Sequence, residues 1–389
     1  MNELLKLKAF SPYAVYELDG EASLSVHPAC GRNSKGQPDE TTELPVTMVT
    51  LPGGKRVPML KSMLTSVCEK NCYYCAFRSG RDFRRHSFHP EELAKTSLLL
   101  FERGVAEGIF LSSGVVGGGV KTQDRLLAAA DILRNKLGYM GYLHLKIMPG
   151  AEPEQVLRAM QLADRVSVNL EAPNMQRLSE LCPEKTMLDQ LVAPLQWVER
   201  YRQTQPRQMG WKGRWPSSTT QFVVGGGKET DQELLHSSQY LLRNMHLARV
   251  YFSGFSPILD TPFEDRAAVN PWRQNRLYQA SFLLRDYGFD YDELMFDQQG
   301  NLPLELDPKQ AWAEVHLRHA PVEVNRADYP ELLRIPGIGP RSAKQIVAQR
   351  LRAPLRSEDD LKRLGICIQR VAPYVLVNGR RVPVQRALF

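Results

Sequence analysis

Apolar residues are distributed along this chain in two alternating patterns. Between about residues 59 and 257, short apolar runs closed by Gly, Pro, Asn or Ser take turns with stretches whose apolar positions recur at helical spacing. Residues 108–114 (GIFLSSG), 141–150 (GYLHLKIMPG), 165–174 (RVSVNLEAPN), 219–227 (TTQFVVGGG) and 249–257 (RVYFSGFSP) read as strands. Residues 122–137, 152–163 and a stretch ending near Leu181 read as helices. Strands alternating with helices build βαβ units, and these build a parallel sheet. The pattern predicts an α/β fold whose sheet curls into a partial or full (β/α) barrel, with functional side chains at the C-terminal strand ends. Residues 1–56 are rich in Gly, Pro, Ser and Thr and read as an irregular arm. Four segments are expected: the arm (1–56), the barrel (57–269), a helical connector (270–320) and a small all-α domain (321–389).

Charge distinguishes the last segment from the rest. The chain carries a net charge of +7. Residues 321–389 hold 13 Lys and Arg against 6 Asp and Glu, leaving 37 of each sign in residues 1–320. A basic tail on a neutral body suits a polyanionic partner. No apolar run approaches membrane-spanning length, and the N-terminus lacks the apolar core of a signal peptide, so a cytoplasmic protein is expected.

Six cysteines in such a chain do not make a disulfide framework. Cys68, Cys72 and Cys75 stand in C-x3-C-x2-C spacing. Thiolates are soft ligands that suit iron–sulfur clusters and zinc. A structural zinc would need a fourth ligand, for which His86, His89 and Cys182 are available. Three thiolates on a [4Fe–4S] cube leave one iron open to chelate a small molecule.

This segment resembles the signature of the radical S-adenosylmethionine (SAM) superfamily, C-x3-C-x-aromatic-C, with Tyr74 at the aromatic position. The resemblance implies a radical SAM barrel, a [4Fe–4S] cluster on Cys68, Cys72 and Cys75, and SAM bound through its amino and carboxylate groups to the open iron. SAM would be cleaved reductively to methionine and a 5′-deoxyadenosyl radical by an electron from a donor such as flavodoxin or ferredoxin. The superfamily's Gly-Gly-Glu after the second strand corresponds to Ser112-Ser113-Gly114, which keeps the small residues and lacks the carboxylate. Asn169 and Glu171 alternate on one predicted strand and so share a face, placed for ribose hydroxyls. Val224 and Gly225 match the glycine-rich fifth strand near adenine, and Ser253 lies on the sixth. Lys146, at another strand end, could meet the SAM carboxylate or a substrate phosphate. The run Gly117-Gly118-Gly119 lacks the context of a phosphate loop. No catalytic side chain is legible beyond a weak candidate, Cys30, in a loop able to fold over the barrel mouth.

Residues 332–347 (LLRIPGIGPRSAKQIV) carry a second motif. Gly337 and Gly339 permit a tight hairpin at positive φ, and Pro340 fits the first turn of the following helix. That helix offers free backbone N–H groups and a positive dipole end, a natural phosphate site, and Arg341, Ser342 and Lys344 stand there too. The pattern matches the helix-hairpin-helix of repair and replication proteins, which implies that Gly337, Ile338, Gly339, Arg341, Ser342 and Lys344 grip a nucleic-acid backbone. Residues 357–373 look like a degenerate second copy.

Both motifs together, with FLSSGV, YLHLKIMPGA and RVSVNLEAPN, resemble the DNA modification/repair radical SAM family, described as predicted DNA-binding proteins with a helix-hairpin-helix motif. The resemblance implies a radical SAM enzyme that modifies or repairs a nucleic acid, DNA before RNA. It also implies a partnership with a uracil-DNA-glycosylase-like protein, while the lack of a long apolar run leads us to expect no membrane association. Two other readings use the same residues: a radical SAM enzyme acting on a protein or small molecule, with the tail as docking module, and a non-enzymatic iron–sulfur DNA-binding protein.

Overall fold

The computed structural model describes residues 3–10, 44–50 and 56–383. The chain divides into two compact units, residues 1–229 with 240–271, and residues 230–239 with 272–389.

The first unit is built on one seven-stranded sheet. Its strands are β1 (Val46–Thr50), β2 (Arg56–Met63), β3 (Gly108–Ser112), β4 (Tyr142–Lys146), β5 (Arg165–Ser167), β6 (Ser217–Val224) and β7 (Arg249–Gly254), in that spatial order. β2 to β7 pair in parallel, and β1 pairs antiparallel with β2. The result is a curled half-barrel. β3 is buried at every position, as a central parallel strand with both faces covered must be. The connecting helices include α2 (Pro90–Glu102), α3 (Gly119–Asp131), α4 (Pro153–Leu162), α5 (Met175–Leu181) and α6 (Ala193–Thr204). Local signals set their starts. α4 opens with Pro153 in its first turn and a Glu152–Gln155 capping box, and Asn174 caps α5 by accepting from the Arg177 N–H at 2.9 Å.

Two sequence expectations change here. The described parts of the stretch read as irregular are a helix, α1 (Glu3–Phe10), and β1. β1 is short and its alternation is weak, so only its pairing with β2 specifies it. The strand expected over 165–174 stops at Ser167. Beyond it the chain keeps single bonds to β6, Val168 N–H to Thr219 O and Glu171 N–H to Gln221 O, but Glu171 adopts φ 64°. A glutamate in the left-handed region breaks the two-residue alternation and costs backbone energy.

The second unit is helical, as expected, with one addition. It contains α8 (Pro271–Asp286), α9 (Pro308–His316), α10 (Tyr329–Arg334), α11 (Pro340–Arg352), α12 (Glu358–Arg363) and α13 (Ile368–Val371). α7 (Asp231–Asn244) begins in this unit's sequence and ends in the other's. The addition is a small sheet of β8 (Val322–Glu323), β9 (Val375–Val377) and β10 (Arg380–Arg381), in the order β10-β9-β8. Leu332, Ile335, Ile338, Ile346, Leu361 and Val371 are buried in its core. Those residues come from both sequence copies, α10–α11 and α12–α13. The turns joining the helices carry Gly337 at φ 85° and Gly365 at φ 74°, so both copies turn at a glycine in the left-handed region, although the second copy's following helix is only four residues long. Among the described residues no helix is long and apolar enough to cross a membrane.

Candidate functional site

The three cysteines lie on the loop between β2 and α2. Several unrelated bonds fix this loop. The Arg85 guanidinium donates to four backbone carbonyls, Ser66 at 2.9 Å, Phe77 at 3.0 Å, Arg78 at 2.7 Å and Arg81 at 3.0 Å. Glu69 N–H donates to Val115 O at 2.8 Å, and Tyr73 N–H to Leu181 O at 2.8 Å. Gly114 packs so closely that a Cβ there would lie 2.2 Å from the Val67 carbonyl oxygen. The Glu69 carboxylate accepts from Gly117 N–H at 2.8 Å and Gly118 N–H at 3.2 Å. The glycine run therefore holds a protein carboxylate where a phosphate loop would hold its ligand.

Backbone N–H groups reach two of the thiols, Val115 to Cys68 Sγ at 3.5 Å and Phe77 to Cys75 Sγ at 3.4 Å. Burial raises the Cys68 thiol and pushes Cys75 up to about 12, reinforced by Cys72. Cys72 moves the other way, to about 7, because Cys182 donates to it, with burial opposing and Lys185 assisting. Cys182 keeps its proton, held well up by burial and by that bond.

The thiols face a cavity of about 1020 Å³, measured with its open mouth, at the C-terminal ends of the strands. Cys68, Cys72 and Cys75 line it with Tyr74, Ser113, Gly114, Lys146, Asn169, Glu171 and Ser253, all singled out in the sequence. Ser112, Val224 and Gly225 do not line it. Ser112 is buried in β3, with its carbonyl taken by Leu64 N–H at 2.8 Å. Val224 is fully buried, and Gly225 N–H is taken by Glu229. Cys30 lies outside the described residues. His86 and His89 do not line the cavity; Phe255, which alternates with Ser253 on the sixth predicted strand, does, and so do Lys185 and Gln221, which the sequence did not suggest.

Glu171 and Lys185 form a buried ion pair across this cavity wall, 2.9 Å apart, with side chains 5% and 9% exposed. Burial alone would raise the Glu171 carboxyl; Lys185, Lys146 and the adjoining Tyr74 hydroxyl outweigh it and hold the carboxyl low. Burial would likewise lower Lys185, and the anionic neighbours Cys72 and Glu171 hold it well up. Both are charged. Only one Glu171 oxygen meets Lys185; Oε2 is buried with no hydrogen-bond partner.

In the second unit, the hairpin runs Ile335-Pro336-Gly337-Ile338-Gly339 into α11. Gly337 has the expected positive φ; Gly339 does not, standing at φ −104°, ψ 179° as the cap of α11. Its constraint is closeness, since a Cβ there would lie 3.2 Å from the Tyr287 hydroxyl. Pro340 is in the first turn of α11. Arg341 and Lys344 are exposed beside it and Ser342 is half-buried.

Comparison with known proteins adds the family. The model of the radical SAM superfamily matches residues 62–241, and a helix-hairpin-helix motif matches residues 318–365. The chain carries a radical SAM domain. Members of this superfamily are enzymes whose cofactors are a [4Fe–4S] cluster and SAM. No curated protein matches the chain. Among solved structures it is similar to methylornithine synthase (PylB), at 14% identity and TM-score 0.46 over 58% of this chain and 61% of that one. It is also similar to the FeFe-hydrogenase maturase HydG from Carboxydothermus hydrogenoformans, at 16% identity and TM-score 0.45 over 58% and 51%. A third is the radical SAM methyltransferase TsrM from Kitasatospora setae, at 13% identity and TM-score 0.38 over 53% and 38%. The chain thus spans about three fifths of the first of these, 61%, and less of the others.

The radical SAM domain's residues fit both cofactors. Three thiols, two of them receiving backbone N–H groups as cluster sulfurs commonly do, share a wall with a roomy cavity. An orphaned carboxylate oxygen in that cavity suits a hydroxyl-bearing ligand, because a buried acceptor without a donor is costly.

Proposed function

We propose that this chain is a radical SAM enzyme that modifies or repairs a nucleic acid, DNA in the first place, held through its helix-hairpin-helix. The observation that carries the reading is the pairing in one chain of the cysteine-lined cavity with a glycine hairpin flanked by the exposed cations Arg341 and Lys344. Cys68, Cys72 and Cys75 would hold the cluster. When bound, the cluster and SAM supply a carbon-centred radical that abstracts a hydrogen atom. Glu171 Oε2 and Asn169 accept the ribose hydroxyls, Lys146 meets the SAM carboxylate, and the Ser113-Gly114 backbone receives the amino group. Lys185 keeps Glu171 ionised and fixed. Phe77, Val223 and Phe255 give the same cavity apolar walls. A base reaching this cavity must leave its stack or be unpaired already, at a cost of about a few kcal/mol in a duplex. An electron donor of the flavodoxin or ferredoxin class completes the system.

The reading is tested by anaerobic incubation of the reconstituted full chain with SAM, a reductant and either DNA or tRNA, followed by nucleoside mass spectrometry. A new nucleoside in the DNA arm that requires SAM is the expected result. Turnover of SAM with no change in either nucleic acid would redirect the reading to a protein or small-molecule substrate.

Backbone grip has its own signature. Contacts to phosphate position a strand without reading its bases, and each one lost reduces the salt dependence of binding. Arg341→Glu is expected to weaken duplex binding by the full chain at least about tenfold and to lower the slope of log affinity against log salt by about 1 to 2. Cofactor loading should stay unchanged. Anisotropy titrations over a salt series measure both; binding indifferent to salt would remove the hairpin from nucleic-acid recognition.

A further inference from the structure

Beside the hairpin, within the second unit, lies a cavity of about 710 Å³, measured with its open mouth. The hairpin residues Gly337, Ile338 and Gly339 form one wall; Tyr287, Asp307, Lys309 and Arg370 are on the others. Lys309 belongs to α9, outside the helix-hairpin-helix pattern, and is only 8% exposed. A lysine is almost never so buried unless something holds its charge. Its ammonium donates to the Ile338 carbonyl at 2.5 Å and stands 4.7 Å from the centre of the Tyr287 ring. Two of its three N–H donors have no hydrogen-bond partner among the described residues. The Tyr287 hydroxyl has none either. Asp307 does not neutralise the lysine directly, because its carboxylate is engaged by Arg370 at 2.7 Å and by the start of α9. With Lys309 protonated, Lys309, Arg370 and Asp307 therefore leave one net positive charge in a cavity floored by unused donors.

We infer that this cavity binds the terminal phosphate of a nucleic-acid strand, with Lys309 and Tyr287 donating to it from below and Arg370 from the rim. The inference rests on the nucleic-acid reading of the tail and adds a strand end as its target. An internal phosphodiester carries chain on both sides and lies along the surface, where Arg341 and Lys344 can meet it. A group that reaches Lys309 must enter the cavity, and a terminal monoester is joined to chain on one side only. It brings three oxygens and a charge of about −1.5 to −2, which suits clustered donors.

Burial brings Lys309 down to about 7, opposed by Asp307 and assisted by Arg370 and Arg334. Of the groups facing it, Tyr287 is raised by burial and stays neutral in this range. The ammonium is thus present below neutrality and lost above it, which gives a signature that a purely structural lysine would lack.

The test uses the full chain and one duplex with a recessed end, prepared with a 5′-phosphate, a 3′-phosphate or hydroxyls only. One phosphorylated duplex is expected to bind about tenfold more tightly than the hydroxyl form. That preference should shrink as pH rises from about 6.5 to about 9, while the ordinary tyrosine and arginine charges stay fixed. Lys309→Arg should keep the preference and remove its pH dependence; Tyr287→Phe, which leaves the ring in place, should reduce the preference about threefold or more. Equal binding of all three duplexes by a wild-type chain that still binds DNA in a salt-dependent way would overturn the terminal-phosphate site and leave the nucleic-acid reading intact. Binding of none of them would overturn both. An unchanged preference in Tyr287→Phe and in Lys309→Met, with normal melting temperatures, would place terminal-phosphate recognition elsewhere.

Discussion

Anaerobically reconstituted protein is expected to hold about four irons per chain, and the variant with Cys68, Cys72 and Cys75 all replaced by Ala to hold none. The effect is total because no other described thiol can take over the role. Cys367 is exposed in the second unit, and Cys182, at the end of α5, is fully buried and does not line the cavity that the three thiols face. Cys182→Ala should accordingly keep its iron. The triple variant should still fold, because the loop is closed by Arg85 and its four carbonyl partners and not by the thiols. Iron analysis, cluster absorbance and far-ultraviolet circular dichroism separate these outcomes. Stoichiometric zinc in anaerobically purified wild-type protein, or iron retained by the triple variant, would overturn the cluster assignment.

The parts of this molecule legible in the sequence are those whose geometry is set within a few residues. C-x3-C-x2-C places three thiols on one loop whatever surrounds it, and Pro-Gly-Ile-Gly-Pro specifies a turn and a helix start. The β3, β4, β6 and β7 strands announce themselves as apolar runs ended by small residues. What the sequence hides depends on long-range closure. Arg85 reads as one of several arginines in a charged loop until the fold turns four carbonyls towards it. Lys185 lies 14 residues beyond Glu171, with a helix between them, and nothing periodic connects the two. Lys309 meets Ile338 across 29 residues and from a helix outside the motif. Asn169 and Glu171 come to the cavity for a reason other than the one the alternation suggests. The strand has ended before them, and the left-handed turn at Glu171 delivers the side chain. Strain of this kind persists only where surrounding contacts over-determine it.

Breaking the Glu171–Lys185 pair is expected to separate two roles of the same carboxylate. Both side chains are more than nine-tenths buried, so removing either partner leaves an uncompensated charge, which typically costs about 3–5 kcal/mol of folding stability. Glu171→Ala should therefore melt well below wild type. Lys185→Met should melt low as well, though Lys146 and Tyr74 still support Glu171. The double variant Glu171→Gln with Lys185→Met removes both charges and keeps side-chain volume, and it should recover most of the loss. Stability measured this way concerns the pair. SAM binding concerns the oxygen that the pair leaves unused. Glu171→Gln with Lys185→Met, although stable, should bind SAM more weakly by about 1–3 kcal/mol, because a charged acceptor for a hydroxyl has gone. Asn169→Ala should lose a similar amount with little change in melting temperature, since Asn169 lines the cavity without belonging to the ion pair. Thermal melts of the cofactor-free chain and SAM titrations of the cluster-loaded chain give the two numbers independently. Wild-type SAM affinity in both the double variant and Asn169→Ala would remove these residues from the ribose site. Recovered stability in the double variant alone would then leave the pair a purely structural role, with its second oxygen serving some ligand other than SAM.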